Sequence, residues 1–305
     1  MSERESSQRE RGATRASRLA LAPGLSEERA RVTLADLTAM KRDGRKIVGV
    51  VAWDYQIARI VDRVGVDLVS VGDTVGLNLW GHGTPFEVTL DQMVTVCQAV
   101  RRGVSRALVS GDFPYGPLQE GPAEAVRAAI RLVKEASVDL VKLDSAADHL
   151  DAVRAVDRAG IPVFAQLGVT PQAALRLGLD YAAMAGPGAQ VPDEMAERLV
   201  AEAKALEDAG AALLDFTNSG PVVGAEVARS VSIPVLGGFG GGPWLDGRVR
   251  MAHAAIGYAA AGLDDPPDTY ADVARISFDA LSAYAADVRA GRQIRGGIPV
   301  PAPEA

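Results

Sequence analysis

Short apolar runs alternate with amphipathic stretches along most of this chain. The runs are KIVGVVAWD (46–54), VDLVSVGDT (66–74), RALVSGDFP (106–114), VDLVKLDS (138–145), IPVFAQLG (161–168), AALLDFTN (211–218) and IPVLGGFGGG (233–242), with a weaker eighth, RVRMAHAAIGY (248–258). Near-continuous Val, Leu, Ile and Ala is what parallel strands covered on both faces should show. The stretches between them carry Ala, Arg and Glu on a polar face, and strands alternating with helices imply right-handed βαβ units. Seven clear units and one weak unit predict an α/β fold closed as a (β/α)₈ TIM barrel. An open doubly wound sheet would normally carry a glycine phosphate loop after its first strand, and AWDYQ after Val51 has none. VDLV or IPV entries recur before the second, fourth, fifth and seventh strands, as suits a barrel of equivalent units.

The ends of the chain read differently. TLADLTAMKRDG predicts a short N-terminal helix capped by Thr33 and stopped at Gly44. Residues 1–31 are rich in Arg, Glu and Ser without apolar periodicity and are expected to be a disordered tail. Residues 32–295 are expected to form a single catalytic barrel domain, with a last helix over roughly 269–291 closing it. Residues 296–305 are a Pro/Gly-rich C-terminal tail.

Composition narrows the function classes. Aromatics make up only 5% of the 305 residues against 48% hydrophobic overall, so the core must pack through aliphatic side chains. A net charge of −7 argues against a nucleic-acid surface, which needs a clustered basic excess. Cys97 is the only cysteine, which excludes an intrachain disulfide and a thiolate metal cluster. It sits in the middle of a helical stretch and there is no G-x-S-x-G elbow, so nucleophilic acyl transfer is not expected. No apolar run reaches the about 18 residues of a membrane span, and the N-terminus lacks a signal-peptide core; a cytoplasmic protein is expected.

Candidate chemistry collects at the C-terminal ends of strands, where barrels carry their active sites. Asp73, Asp112 and Asp144 end the second, third and fourth runs. Three converging carboxylates repel unless a cation such as Mg²⁺ neutralises them, and hard cations prefer oxygen ligands. The competing reading is that each Asp caps the following helix. Lys142 lies two residues before Asp144 and so shares its face. A lysine facing a barrel interior needs an anion, either a substrate carboxylate or one of the aspartates; otherwise it points outward between helices. Asp215 and Thr217 share a face of the sixth strand, with Asp215 one pleat deeper as a base, a partner or a structural acceptor. The glycine-rich stretch 236–248 lacks a Walker-type lysine, and His82, His149 and His253 have no metal-ligand spacing; only His82 is expected near the mouth.

These residues together resemble a known family. AWDYQIARIVDRVGVDLVSVGDTVG, PFEVTLDQMVTVCQAVRRG, ALVSGDFPYG, VDLVKLDS, LGVTPQ and GGPWLDGRV, spread over roughly 33–290, are similar to ketopantoate hydroxymethyltransferases of the phosphoenolpyruvate/pyruvate barrel superfamily. The resemblance implies a Mg²⁺-dependent aldol reaction in which a 2-oxoacid, 3-methyl-2-oxobutanoate or a relative, takes the one-carbon unit of 5,10-methylenetetrahydrofolate. It implies Asp73 and Asp112 as metal ligands and Asp144 as a contact through the ion's water shell. It implies Lys142 as the holder of the substrate carboxylate, and a homo-oligomer, a ring assembly of ten.

Four positions depart from the family pattern. Thr217 stands where the family has a glutamate base, Thr74 where it has serine, Gln166 where it has histidine, and Asp144 where it has glutamate. Thr74 and Gln166 remain expected substrate contacts, and Asp215 is the candidate replacement for the lost base. The alternatives are a C–C or P–C lyase or mutase of the same superfamily, and a non-catalytic homologue that binds an oxoacid.

Overall fold

The computed structural model describes residues 30–173, 176, 178, 190–238, 242–265 and 268–296. Apart from a few residues at their inner edges, the expected N- and C-terminal tails lie outside the described residues. Eight parallel strands close into a barrel in chain order: β1 Ile47–Val51, β2 Leu68–Val71, β3 Leu108–Asp112, β4 Leu140–Leu143, β5 Val163–Gly168, β6 Ala211–Thr217, β7 Val235–Gly237 and β8 Gly247–Met251. The helices are α1 Leu34–Arg42, α2 Tyr55–Val64, α3 Leu90–Gly103, α4 Pro122–Ala136, α5 Leu150–Arg158, α6 Ala196–Asp208, α7 Pro221–Ser230, the one-turn α8 Ala252–Ala255, and α9 Val273–Arg289.

The barrel interior is layered. Its lowest layer takes one residue from every strand: Ile47, Leu68, Leu108, Leu140, Phe164, Leu213, Leu236 and Val249, all buried in one cluster. Leu37 and Met40 of α1 join this cluster, so the short helix plugs the bottom of the barrel. Thr33 and Asp36 form the capping box that starts α1, close to the expected start. Each fully buried leucine here contributes roughly 1.5–3 kcal/mol.

Two residues further up each strand the side chains face inward again. That layer contains Ser70, Ser110, Lys142, Gln166 and Asp215, all buried. An apolar floor with polar groups stacked on it directs the chemistry to the C-terminal mouth. Gly168, at φ +94°, ends β5 here; a Cβ would collide with the Thr217 carbonyl, so only glycine lets β5 and β6 approach this closely at the mouth.

Two features differ from the sequence reading. Among the described residues no helix joins β7 to β8, because GGFGGGPW is poor in helix formers. Trp244 packs there instead, against α7 where Gly224 leaves room for its ring, and its Nε1 donates to Ser219 Oγ at 3.0 Å. The weak eighth run is half strand and half helix, divided between β8 and α8. The second difference is α9. The last helix was expected to close the barrel, but of its residues only Ala274 is buried. The outer side of the β8–β1 seam is correspondingly bare, with Arg248 and Arg250 exposed and Val48 49% exposed.

Candidate active site

A cavity of about 380 Å³ opens at the C-terminal mouth, lined by Asp73, Thr74, Asp112, Lys142, Gln166 and Asp215 among others. Asp112 is the last residue of β3; Asp73 follows β2 by two residues and Asp144 follows β4 directly. All three aspartates are buried, as are Lys142, Asp215, Gln166 and Thr217.

Lys142 is the centre of the charge arrangement. Its Nζ lies 3.1 Å from Asp112 Oδ2 and 3.0 Å from Asp215 Oδ2, so it bridges β3 and β6 across the barrel. It also sits 5.8 Å above the Phe164 ring of the apolar floor. Burial alone would pull the ammonium down, but the charges of Asp112 and Asp215 outweigh it and hold it well above its ordinary value. Of the readings open from sequence, the inward lysine facing aspartates is the one seen. Asp215 also accepts from the Gly238 amide at 3.0 Å, so both its oxygens are engaged.

The acids are pushed the other way from the usual surface carboxylate. Burial, then the charges of Asp112 and Asp144, lift Asp73 from 3.8 to about 7. Asp112 rises to about 6, chiefly through burial, with Lys142 working against the rise. Burial also raises Asp144, opposed by hydrogen bonds from Thr170, Gln172 and Ser145. Gln172 N donates to Asp144 Oδ2 at 3.1 Å and Ser145 Oγ to Oδ1 at 2.8 Å. Asp144 is thus held by its neighbours on both oxygens.

Among the described residues no three His, Cys, Asp or Glu side chains form a closed metal cage. Of the expected set, Asp73 and Asp112 line the cavity, while Asp144 is buried beside it with its oxygens turned to Ser145 and Gln172. Lys142 takes one side of Asp112, and the β5 loop takes Asp144. The donor chemistry still fits a hard divalent cation. Mg²⁺ is commonly bound by one or two carboxylates while keeping several waters, and these buried acids carry repulsion that a cation would relieve.

Gln166 Nε2 donates to Thr217 Oγ1 at 2.6 Å, so these two departures from the family pattern are one contact, a neutral buried pair. Thr74 lines the same cavity. Sequence reasoning missed Ser70, Ser145, Thr170 and Gln172. Ser70 Oγ donates to Asp112 Oδ1 at 3.1 Å, and its place on the inward face of β2 was the available signal. Gln172 Nε2 donates to Asp73 Oδ2 at 2.9 Å and to the Phe113 carbonyl at 3.1 Å. Gln172 is the last residue of the LGVTPQ stretch that carries the family resemblance, and that stretch was the available signal. His253 is buried against Trp53, with ring centroids 5.3 Å apart, and burial lowers its pKa.

Comparison with known proteins decides the family. The family model for ketopantoate hydroxymethyltransferase matches residues 31–293. The chain belongs to the ketopantoate hydroxymethyltransferase family. A 3-methyl-2-oxobutanoate hydroxymethyltransferase of Salinibacter ruber is 39% identical over 259 residues, 85% of this chain and 95% of that protein. One from Streptomyces coelicolor is 38% identical over 261 residues, 86% of this chain and 87% of that protein. Among solved structures, 2,3-dimethylmalate lyase, a PEP mutase/isocitrate lyase superfamily member, has a TM-score of 0.54 at 17% identity, covering 88% of this chain and 91% of that one. That likeness concerns the fold alone. The chain is an enzyme of the hydroxymethyltransferase kind, and its cavity sits where barrel enzymes do their chemistry.

Proposed function

We infer that this chain transfers a hydroxymethyl group to a 2-oxoacid, 3-methyl-2-oxobutanoate or a close relative, with 5,10-methylenetetrahydrofolate as donor and Mg²⁺ or another divalent cation in the cavity. Residues 32–295 are the catalytic barrel in this reading. The observation that carries it is the buried Lys142 held between Asp112 and Asp215, with Asp73 lining the same cavity. Asp73 and Asp112 would hold the ion, with Asp144 reaching it through water. Bound there, it would supply Lewis-acid charge that lowers the cost of a carbanion next to the keto group.

The side chains have separable tasks. An ammonium has three donors, and two of those on Lys142 are spent on Asp112 and Asp215, leaving the third for the oxoacid carboxylate. Asp215 positions Lys142 and cannot at the same time act as a free base. Thr217, tied to Gln166, has no basicity to offer, so the C3 proton passes to water admitted to the cavity. Gln166 and Thr74 line the space beside the oxoacid and set its shape. The test is exchange of the C3 protons of a 2-oxoacid in D₂O with Mg²⁺ present, followed by donor-dependent product formation. The neutral Gln166–Thr217 pair favours one other reading, an oxoacid-binding homologue without turnover; binding without any exchange would select it.

The protein in this reading is cytoplasmic, and among the described residues no helix is long and apolar enough to cross a membrane. It is also a homo-oligomer. Ile276, Phe278, Leu281, Tyr284 and Val288 of α9 are each at least half exposed, beside a barrel whose β8–β1 seam is bare. A helix of this length gains most of its stability from packing, so these faces need a cover, and a second copy supplies both. Phe278→Asp with Leu281→Asp should lower the mass found by light scattering towards that of one chain, 31.8 kDa. An unchanged mass, or a wild-type monomer, would remove this assignment.

A further inference from the structure

Among the described residues, Gln172 reaches two of the three aspartates from outside the strands that carry them, Asp73 through its side chain and Asp144 through its backbone amide. It lies in the short 3-10 turn Pro171–Ala173 after β5, whereas Asp73 follows β2 and Asp144 follows β4. Its backbone amide donates to Asp144 Oδ2 at 3.1 Å. Its side-chain amide donates to Asp73 Oδ2 at 2.9 Å and to the Phe113 carbonyl, just past Asp112, at 3.1 Å. One residue therefore ties together the ends of β2, β3 and β4. Thr170, in the same loop, is 2.8 Å from Ser145 Oγ, which completes the support of Asp144.

The geometry has a chemical consequence for Asp73. A carboxylate on a short loop can turn about its side-chain torsions, and buried like charges drive it away from Asp112 and Asp144. The Gln172 amide offers two N–H donors and both are used, one on Asp73 and one on a main-chain carbonyl that cannot move freely. That pins Oδ2 of Asp73 and leaves Oδ1 as the oxygen free for a ligand. A glutamate at this position could not donate these bonds, and a shorter amide could not span them.

We propose that Gln172 is the positioning residue of the acidic cluster, holding Asp73 and Asp144 in the one arrangement that accepts a divalent cation. This rests on the cation-dependent reading of the cavity given above. Hydrogen-bond partners of metal ligands typically contribute about 10–100-fold to affinity or activity.

The test uses Mn²⁺ as the probe, with the full-length chain and Gln172→Met, which keeps the length and the backbone amide but loses both side-chain donors. Calorimetric titration should show Mn²⁺ binding weakened about 10–100-fold. The Mn²⁺ electron paramagnetic resonance spectrum of the bound ion should broaden or change its splitting, a change that loss of stability alone would not cause. Saturating Mn²⁺ should restore most of kcat. Gln172→Asn, which keeps an amide one methylene shorter, should behave in the same way and serves if the Met variant folds poorly. Wild-type affinity and spectrum in both variants would overturn the role of Gln172 while leaving the metal reading intact. A wild-type chain that binds no Mn²⁺ would overturn both.

Discussion

Lys142→Met is expected to lose both activity and a large part of the protein's stability. The substitution leaves Asp112 and Asp215 buried without their shared cation. Removing one partner of a buried ion pair typically costs about 3–5 kcal/mol, because the remaining charge keeps its desolvation penalty. For a domain of this size that corresponds to a fall in Tm on the order of 10 °C. At pH 5 the loss should shrink, since a carboxyl that takes up a proton no longer carries buried charge. Adding Asp215→Asn should recover part of the stability and none of the activity. A thermal melt at pH 8 in which Lys142→Met matches wild type would show that the lysine is not the electrostatic keystone of the barrel mouth.

Asp73→Asn should produce the second large effect, with opposite signs for stability and function. Asp73 titrates near 7 in the folded chain and near 3.8 when unfolded. Between those values the folded form holds a proton that the unfolded form has released. Its contribution to stability is therefore present at low pH and is lost as pH rises through about 4 to 7. Asp112 shifts in the same direction, to about 6. The metal-free wild type should melt at a lower temperature at pH 8 than at pH 5. Mg²⁺ should raise the melting temperature more at pH 8, because a cation binds the ionised carboxylates.

The Asn variant removes the strained charge. Metal-free, it should be more stable than wild type at pH 8, and its melting temperature should no longer respond to Mg²⁺. Loss of a metal ligand removes several kcal/mol of transition-state stabilisation, and each 1.36 kcal/mol is tenfold, so turnover should fall at least about 10³-fold. A variant that keeps the wild-type Mg²⁺ response would place the ion elsewhere.

Much of the barrel could be read directly from residue pattern, because parallel strands buried on both faces leave continuous apolar runs. The exceptions are instructive. The β7–β8 connection departs from the repeated unit, because the glycine-rich stretch 236–248 has no means of forming a helix, and Trp244 packs against α7 there. The α9 helix carries a helical pattern, but periodicity reports that a face is apolar and not which surface it meets; here only Ala274 of the helix is buried.

The site divides along the same line. Asp73, Asp112, Asp144 and Lys142 were visible because a charge at the end of an apolar run is rare and physically costly. Gln172, Thr170 and Ser145 lay inside the LGVTPQ and VDLVKLDS stretches, but their roles were not visible, because neutral polar residues in loops look alike until the fold sets their distances. The Gln166–Thr217 contact needed the β5–β6 register, in which Gln166 lies beside Asp215 and Gly168 beside Thr217, before two separate departures became one pair.

The central claim is that this mouth activates the C3 position of a 2-oxoacid. Proton NMR of 3-methyl-2-oxobutanoate in D₂O, with enzyme and Mg²⁺ but no one-carbon donor, tests it most directly. The C3 signal should disappear at a rate that requires Mg²⁺ and is lost in both Lys142→Met and Asp73→Asn. A C3 signal that persists with wild-type enzyme, across this and related oxoacids that demonstrably bind, would contradict the account.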